Sequence, residues 1–164
     1  MRVTARLSTV LLATAGLVAA GLGLGSASAQ DDVRFLTFAD KCVDVSGASG
    51  GDGANIIQWS CHGGANQDFS IVNAGNGQVE IRTFAGKCVD VSGVSSSNGA
   101  KIIQWRCHGG ANQKFRIEDQ GDGRVVIRTF AGKCVDVSGA SSSDGAQIIQ
   151  WQCHGGANQK FRIV

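Results

Sequence analysis

The chain has 164 residues, with 15 Lys or Arg, 13 Asp or Glu and 3 His, for a formal net charge of +2 at pH 7. Arg2 and Arg6 are the only cations before residue 30 and all 13 acids follow it, so residues 30–164 are neutral overall. That balance excludes a surface built to attract nucleic acid or an anionic membrane.

From the N-terminus, Arg2 and Arg6 precede an apolar run from Val10 to Leu24, which ends at Ala27-Ser28-Ala29. A positive segment, a short apolar core and a small-residue cleavage site predict a secretory signal peptide over residues 1–29, and hence a secreted, extracellular protein. A membrane anchor is the alternative, but the run falls short of the roughly 20 residues needed to span a bilayer and is broken by Gly16, Gly21 and Gly23. No membrane insertion is expected. Residues 30–164 suffice for one domain.

That domain is a triplication. Arg128–Ile163 repeats Arg82–Ile117 with changes only at Val94/Ala140, Asn98/Asp144, Lys101/Gln147 and Arg106/Gln152, and Leu36–Ile71 is a third copy. A fixed 46-residue period marks a repeat architecture, so whatever one copy does is expected three times. In the middle copy short β-rich runs stand at Val79–Arg82, Cys88–Val91, Ile102–Trp105 and Phe115–Ile117. They are separated by turn clusters such as Gly75-Asn76-Gly77 and Asn98-Gly99. Val33-Arg34-Phe35 stands 46 residues before Val79-Glu80-Ile81, which gives repeats 33–78, 79–124 and 125–164 and twelve strands in all. An all-β, closed, threefold pseudosymmetric barrel capped by hairpins fits that count and leaves few exposed edges.

Each repeat holds two cysteines 19 positions apart. Six cysteines allow many connectivities, but threefold repetition makes equivalent pairing simplest, and the local symmetric scheme joins Cys42 to Cys61, Cys88 to Cys107 and Cys134 to Cys153. Such bonds persist in exported proteins, and each is worth roughly 3 kcal/mol on the chain-entropy model. A Cys/His metal site is disfavoured by the absence of CxxC or HxxxH spacing, so no metal and no cofactor is expected.

The threefold recurrence of CVDVSG, IIQW and CHGGANQ followed by Asp or Lys and Phe resembles the ricin B-type lectin domain, a carbohydrate-binding module of the (QxW)3 kind. The resemblance covers residues 30–164. It implies a β-trefoil, one shallow sugar pocket per repeat, and intra-repeat disulfides. Two departures stand out. The family's Gln-x-Trp is Gln67-Asp68-Phe69, Gln113-Lys114-Phe115 and Gln159-Lys160-Phe161 here, where Phe should preserve the packing of a core aromatic. Ile57, Ile103 and Ile149 stand where the family often carries Gln, which removes one hydrogen bond rather than the pocket.

Sugars need paired donors and acceptors for their hydroxyls and an aromatic face for their C–H groups. In the first repeat Asp44 is expected to accept from two hydroxyls, Asn66 to donate and accept, and Trp59 to act as stacking platform. By resemblance Gln67 holds the carboxylate, and His62 stands at the rim or in a structural hydrogen bond. The same roles fall to Asp90, Trp105, His108, Asn112 and Gln113, then to Asp136, Trp151, His154, Asn158 and Gln159. The competing readings are that the Trp residues are core and the Asp residues cap turns. The Gly63-Gly64 pair reads as a turn.

Three functions are weighed. The first is a non-catalytic lectin acting multivalently through up to three pockets, monomeric, with galactose-type glycans or a plant polysaccharide such as xylan or arabinan as ligand. The second is a glycoside hydrolase, for which a second repeated acid is missing: Asp52 and Asp144 become Asn98, and Asp68 becomes Lys114 and Lys160. The third is a protein-binding trefoil such as a protease inhibitor, which would need one specialised loop where three nearly uniform copies stand.

Overall fold

The computed structural model describes residues 31–164; the expected signal peptide lies outside the described residues. The described residues form twelve strands and six one-turn 3-10 helices, the strands being β1 Phe35–Leu36, β2 Cys42–Val45, β3 Ile56–Trp59, β4 Phe69–Gly75, β5 Gln78–Thr83, β6 Cys88–Val91, β7 Ile102–Trp105, β8 Arg116–Asp119, β9 Val125–Arg128, β10 Cys134–Val137, β11 Ile148–Trp151 and β12 Arg162–Ile163. The four runs expected per repeat are all present. Their turns use the left-handed backbone the glycines permit, as at Gly75 (φ 79°) and Gly77 (φ 71°) between β4 and β5.

The strands assemble as three antiparallel four-stranded sheets, β12-β1-β2-β3, β4-β5-β6-β7 and β8-β9-β10-β11. Each sheet therefore straddles a repeat boundary, the last strand of one repeat pairing with the first of the next. Bridges Val33↔Phe69, Val79↔Phe115 and Val125↔Phe161 join the first and fourth strands within each repeat. With β1–β12, β4–β5 and β8–β9 pairing, six strands form a closed ring, which removes the exposed edges an open sheet would present. The remaining strands pair as β2–β3, β6–β7 and β10–β11, three hairpins of four-residue strands in one common register. Six barrel strands and three capping hairpins make a β-trefoil.

Four positions per repeat fill the axis: Phe35, Val43, Ile56 and Phe69 with their equivalents Ile81, Val89, Ile102 and Phe115, then Ile127, Val135, Ile148 and Phe161, all buried. They enclose an apolar void of about 30 Å³. Phe69, Phe115 and Phe161, each 1% exposed, fill the place of the family's Trp as expected. Phe35 and Phe69 meet edge to face, 5.8 Å between centroids, the arrangement that aligns a positive ring edge with a negative face.

At the hairpin end the symmetry is broken by one side chain. Gln147 Nε2 donates to the carbonyls of Ile56 at 2.8 Å, Ile148 at 2.8 Å and Ile102 at 3.3 Å. One nitrogen reaches three equivalent carbonyls only because these converge on the pseudo-threefold axis, and the amide supplies donors to oxygens that would otherwise face one another.

Disulfides join Cys42 to Cys61, Cys88 to Cys107 and Cys134 to Cys153, with Cα atoms 5.0–5.1 Å apart. No cysteine among the described residues is free for a metal.

Candidate functional site

β2 is buried along its whole length, with Val43 and Val45 toward the barrel and Asp44 on the other side, only 3% exposed. A carboxylate so withdrawn needs donors, and the 3-10 turn Ala65–Gln67 supplies one. The fully buried Gln67 donates through Nε2 to Asp44 Oδ2 at 2.8 Å and to the Ser60 carbonyl at 3.1 Å, while its Oε1 accepts from the His62 amide at 2.9 Å. Gln113–Asp90 and Gln159–Asp136 repeat the bond at 2.9 and 2.8 Å. Burial pushes the Asp90 and Asp136 carboxyls above the ordinary aspartate value, against the opposing bonds from Gln113 and Gln159.

The disulfide sets the opposite wall. By tying the start of β2 to Cys61 it brings His62 over the carboxylate, with Nε2 3.3 Å from Asp44 Oδ2 and 3.5 Å in the other two repeats. Its Nδ1 accepts from the Gly64 amide at 3.0 Å, which leaves Nε2 as the protonated nitrogen that points at the carboxylate. The imidazole is thus both rim and structural bond. Gly64 is required there, because a Cβ would lie 2.6 Å from His62 Cε1 and 2.8 Å from Asn66 Oδ1.

Asn66 is buried and donates to the Val45 carbonyl at 3.2 Å, and Asn112 and Asn158 do likewise to Val91 and Val137. One of the donors expected for ligand is therefore committed to backbone, and Asn112 and Asn158 also bond the Asp90 and Asp136 carboxylates, which leaves the amide oxygen in those two repeats.

The three Trp residues are not core. Trp59, Trp105 and Trp151 are 43%, 38% and 39% exposed, while the Ile-Ile-Gln before each is buried. Each sits at a strand end opposite Cys42, Cys88 or Cys134, with its ring at the cleft. Asp44, Ser46, Gly47, Ala48, Ile57, Trp59, His62 and Asn66 line an open cleft of about 460 Å³, and the same positions of the third repeat line one of about 450 Å³. Asp, Trp, His and Asn are brought together at one face, whereas Gln67 and its copies lie beneath, touching the carboxylate.

Two further segments build the cleft. The Ser46–Ala48 turn floors the cleft with consecutive left-handed residues, Gly47 at φ 64° and Ala48 at φ 49°, and Val94 and Ala140 repeat the latter at 52° and 48°. Gly64 was read only as a turn residue. The recurrence of Ser-Gly in the first segment and of His-Gly-Gly in the second, in all three copies, was the available signal.

An exposed indole beside a held carboxylate and an amide offers a flat apolar face and fixed polar groups, suited to a hydroxyl-rich ligand with a C–H face. Residues 33–161 match the family described as the ricin-type beta-trefoil lectin domain, and the chain belongs to that family. Among solved structures it is similar to the designed 3-fold symmetric protein ThreeFoil, at 41% identity and TM-score 0.80 over 81% of this chain and 97% of that one. It is also similar to an exo-beta-1,3-galactanase from Clostridium thermocellum, at 32% identity and TM-score 0.81, over 84% of this chain but 30% of the enzyme. The Macrolepiota procera ricin B-like lectin, solved with lactose, shares the fold at 20% identity and TM-score 0.71, over 83% of this chain and 96% of the lectin. No curated protein sequence matches the chain.

Proposed function

We propose that the chain is a secreted, non-catalytic carbohydrate-binding protein whose three shallow pockets grip one polysaccharide or glycan-covered surface together. The observation that carries this reading is the triplicated pairing of an exposed indole with a buried aspartate held by glutamine. Asp44, Asp90 and Asp136 accept from sugar hydroxyls, Trp59, Trp105 and Trp151 stack on the sugar's C–H face, and Asn and His complete the rim. Three weak pockets at fixed spacing gain avidity by rebinding.

The lining of the first and third clefts holds one carboxylate each, whereas glycoside cleavage generally uses two facing one bond. Likeness to 30% of the galactanase accords with a module that binds, since the matched segment is less than a third of that enzyme. The galactanase and the lactose-bound lectin make galactose-type saccharides the first ligands to try, with xylan and arabinan after them. The test is retention of the folded, oxidised protein on immobilised galactosides and plant polysaccharides, with Asp44→Asn, Asp90→Asn and Asp136→Asn singly and together. Stepwise loss is expected, and full retention by the triple variant would overturn the assignment of these pockets.

A further inference from the structure

The loop after each capping hairpin's first strand serves two pockets. In the first repeat, Ser46–Ala48 floors the local cleft. Only a few residues later the same loop leaves its own repeat and clamps the strand that carries Trp105. Gly53 N–H donates to the Gln104 carbonyl at 2.8 Å, and Gln104 N–H donates back to Ala54 at 2.9 Å. Gln104 Nε2 donates to the carbonyls of Ser49 and Gly51 at 2.7 and 2.8 Å. Beyond the indole, Asp52 Oδ1 accepts from the Arg106 amide at 2.9 Å and from Lys87 Nζ at 2.7 Å. The backbone on both sides of Trp105 is therefore fixed by the preceding repeat, and a Cβ on Gly53 would lie 3.7 Å from the ring at Cζ3.

The arrangement recurs at both other junctions. Asn98 accepts from the Gln152 amide at 2.8 Å, and Gln150 bonds Ser95 and Ser97. Asp144 accepts from the Ser60 amide at 2.8 Å, and Gln58 bonds Ser141 and Ser143. Gly99 and Gly145 stand 3.8 and 3.7 Å from Trp151 and Trp59, measured from a Cβ built on each. The buried Gln58, Gln104 and Gln150 each leave Oε1 without a partner, so these amides are kept inside for their donor ends, which hold the loops. The series closes on itself: repeat one supports two, two supports three, three supports one.

We propose that Asp52, Asn98 and Asp144 are positioning residues for the indole platforms of the following repeat, Trp105, Trp151 and Trp59, so that each sugar pocket is a composite of two repeats. The proposal deepens the carbohydrate-binding reading and rests on it. The acceptor oxygen is the working feature, since Asn98 performs at one junction what aspartate performs at two.

The test uses the full folded chain with Asp44→Asn and Asp136→Asn, which leaves the middle pocket. Asp52→Ala is expected to move the indole N–H resonance of Trp105 without ligand, to leave those of Trp59 and Trp151 in place, and to weaken soluble lactose or xylobiose binding about tenfold. Asp52→Asn, which keeps the acceptor, is expected to restore both. Asn98→Ala repeats the test at the next junction and should move Trp151 alone. Displacement of all three indoles alike, of Trp59 in place of Trp105, or of none, overturns the proposal, as does unchanged middle-pocket affinity in Asp52→Ala. Should the unmodified protein bind neither saccharide, the carbohydrate reading falls, while the indole shifts still decide whether the junction positions the ring.

Discussion

Gln113 and Asp90 face each other at 2.9 Å, the amide nitrogen against Oδ2, with the glutamine wholly buried and the carboxylate 3% exposed. Gln113→Leu keeps the volume and removes the donor. Unfolding in urea should show a loss of about 1–3 kcal/mol for the buried carboxylate left short of a partner. The Asp90 carboxyl, already raised by burial, should move further up because a bond to its charged form is gone, which a carboxyl-detected titration reads directly.

Two classes of aspartate should separate on acidification. Burial raises Asp90 and Asp136 above the ordinary value of 3.8, so the native state holds more protons than the unfolded chain just above that value. The stability contribution of these groups falls as pH rises through that window. Asp52 and Asp144 are lowered, first by their bonds from Lys87 and Lys41, so what they contribute is complete above 3.8 and lost as pH falls through the lower values. As pH drops from neutral, sugar retention by the second and third pockets should therefore fail while near-UV circular dichroism still reports a folded barrel. Coincident loss of both signals would contradict the separation.

Gly110 is closed to any side chain, since a Cβ would come 2.5 Å from His108 Cε1 and 2.9 Å from Asn112 Oδ1. Gly110→Ala should swing the imidazole off Asp90 and disturb Asn112. The middle pocket is then expected to lose saccharide affinity by about tenfold, with the His108 ring resonances shifted and the barrel amides unchanged. Gly109→Ala, where space is open but φ is +71°, should instead cost stability of about 1 kcal/mol through the backbone.

Val94 is a β-branched residue at φ 52° and 59% exposed, a conformation that sterics disfavour. Val94→Gly should raise the unfolding free energy by about 1 kcal/mol after the greater entropy loss of glycine is set against the relieved strain. Thermal unfolding of the variant checks it, and a lower midpoint would show that the valine packs more than its exposure suggests.

Much of the architecture was legible because the 46-residue period and the alternation within each run leave little freedom: twelve strands and the cysteine pairs follow from aligning three copies, whereas the Asp44–Gln67 contact was implied only by the family resemblance. The neighbour relations were not. Asp52-Gly53 reads as a turn, and nothing in its composition says that the ring it supports is Trp105, because a repeat reveals its period but not which copy it leans on. Nothing in the sequence marks the change from Lys101 to Gln147 as structural, yet Gln147 is the amide over three converging carbonyls. Such a role exists only on the axis, where all three copies meet. The exposure of the Trp residues was open in sequence since IIQW fits a core strand as well as a platform, and it was settled by the hairpin ending at the indole.

The β1–β12 pairing has a consequence for chain connectivity. Arg34 and Val164 exchange backbone bonds at 2.8 and 3.0 Å, so the first and last residues of the barrel segment are already neighbours. Joining them by a short linker and reopening the sequence at Asn76 or Asp122 would carry the nick to another repeat boundary without altering a single strand pair, and such a circular permutant should fold to the same barrel.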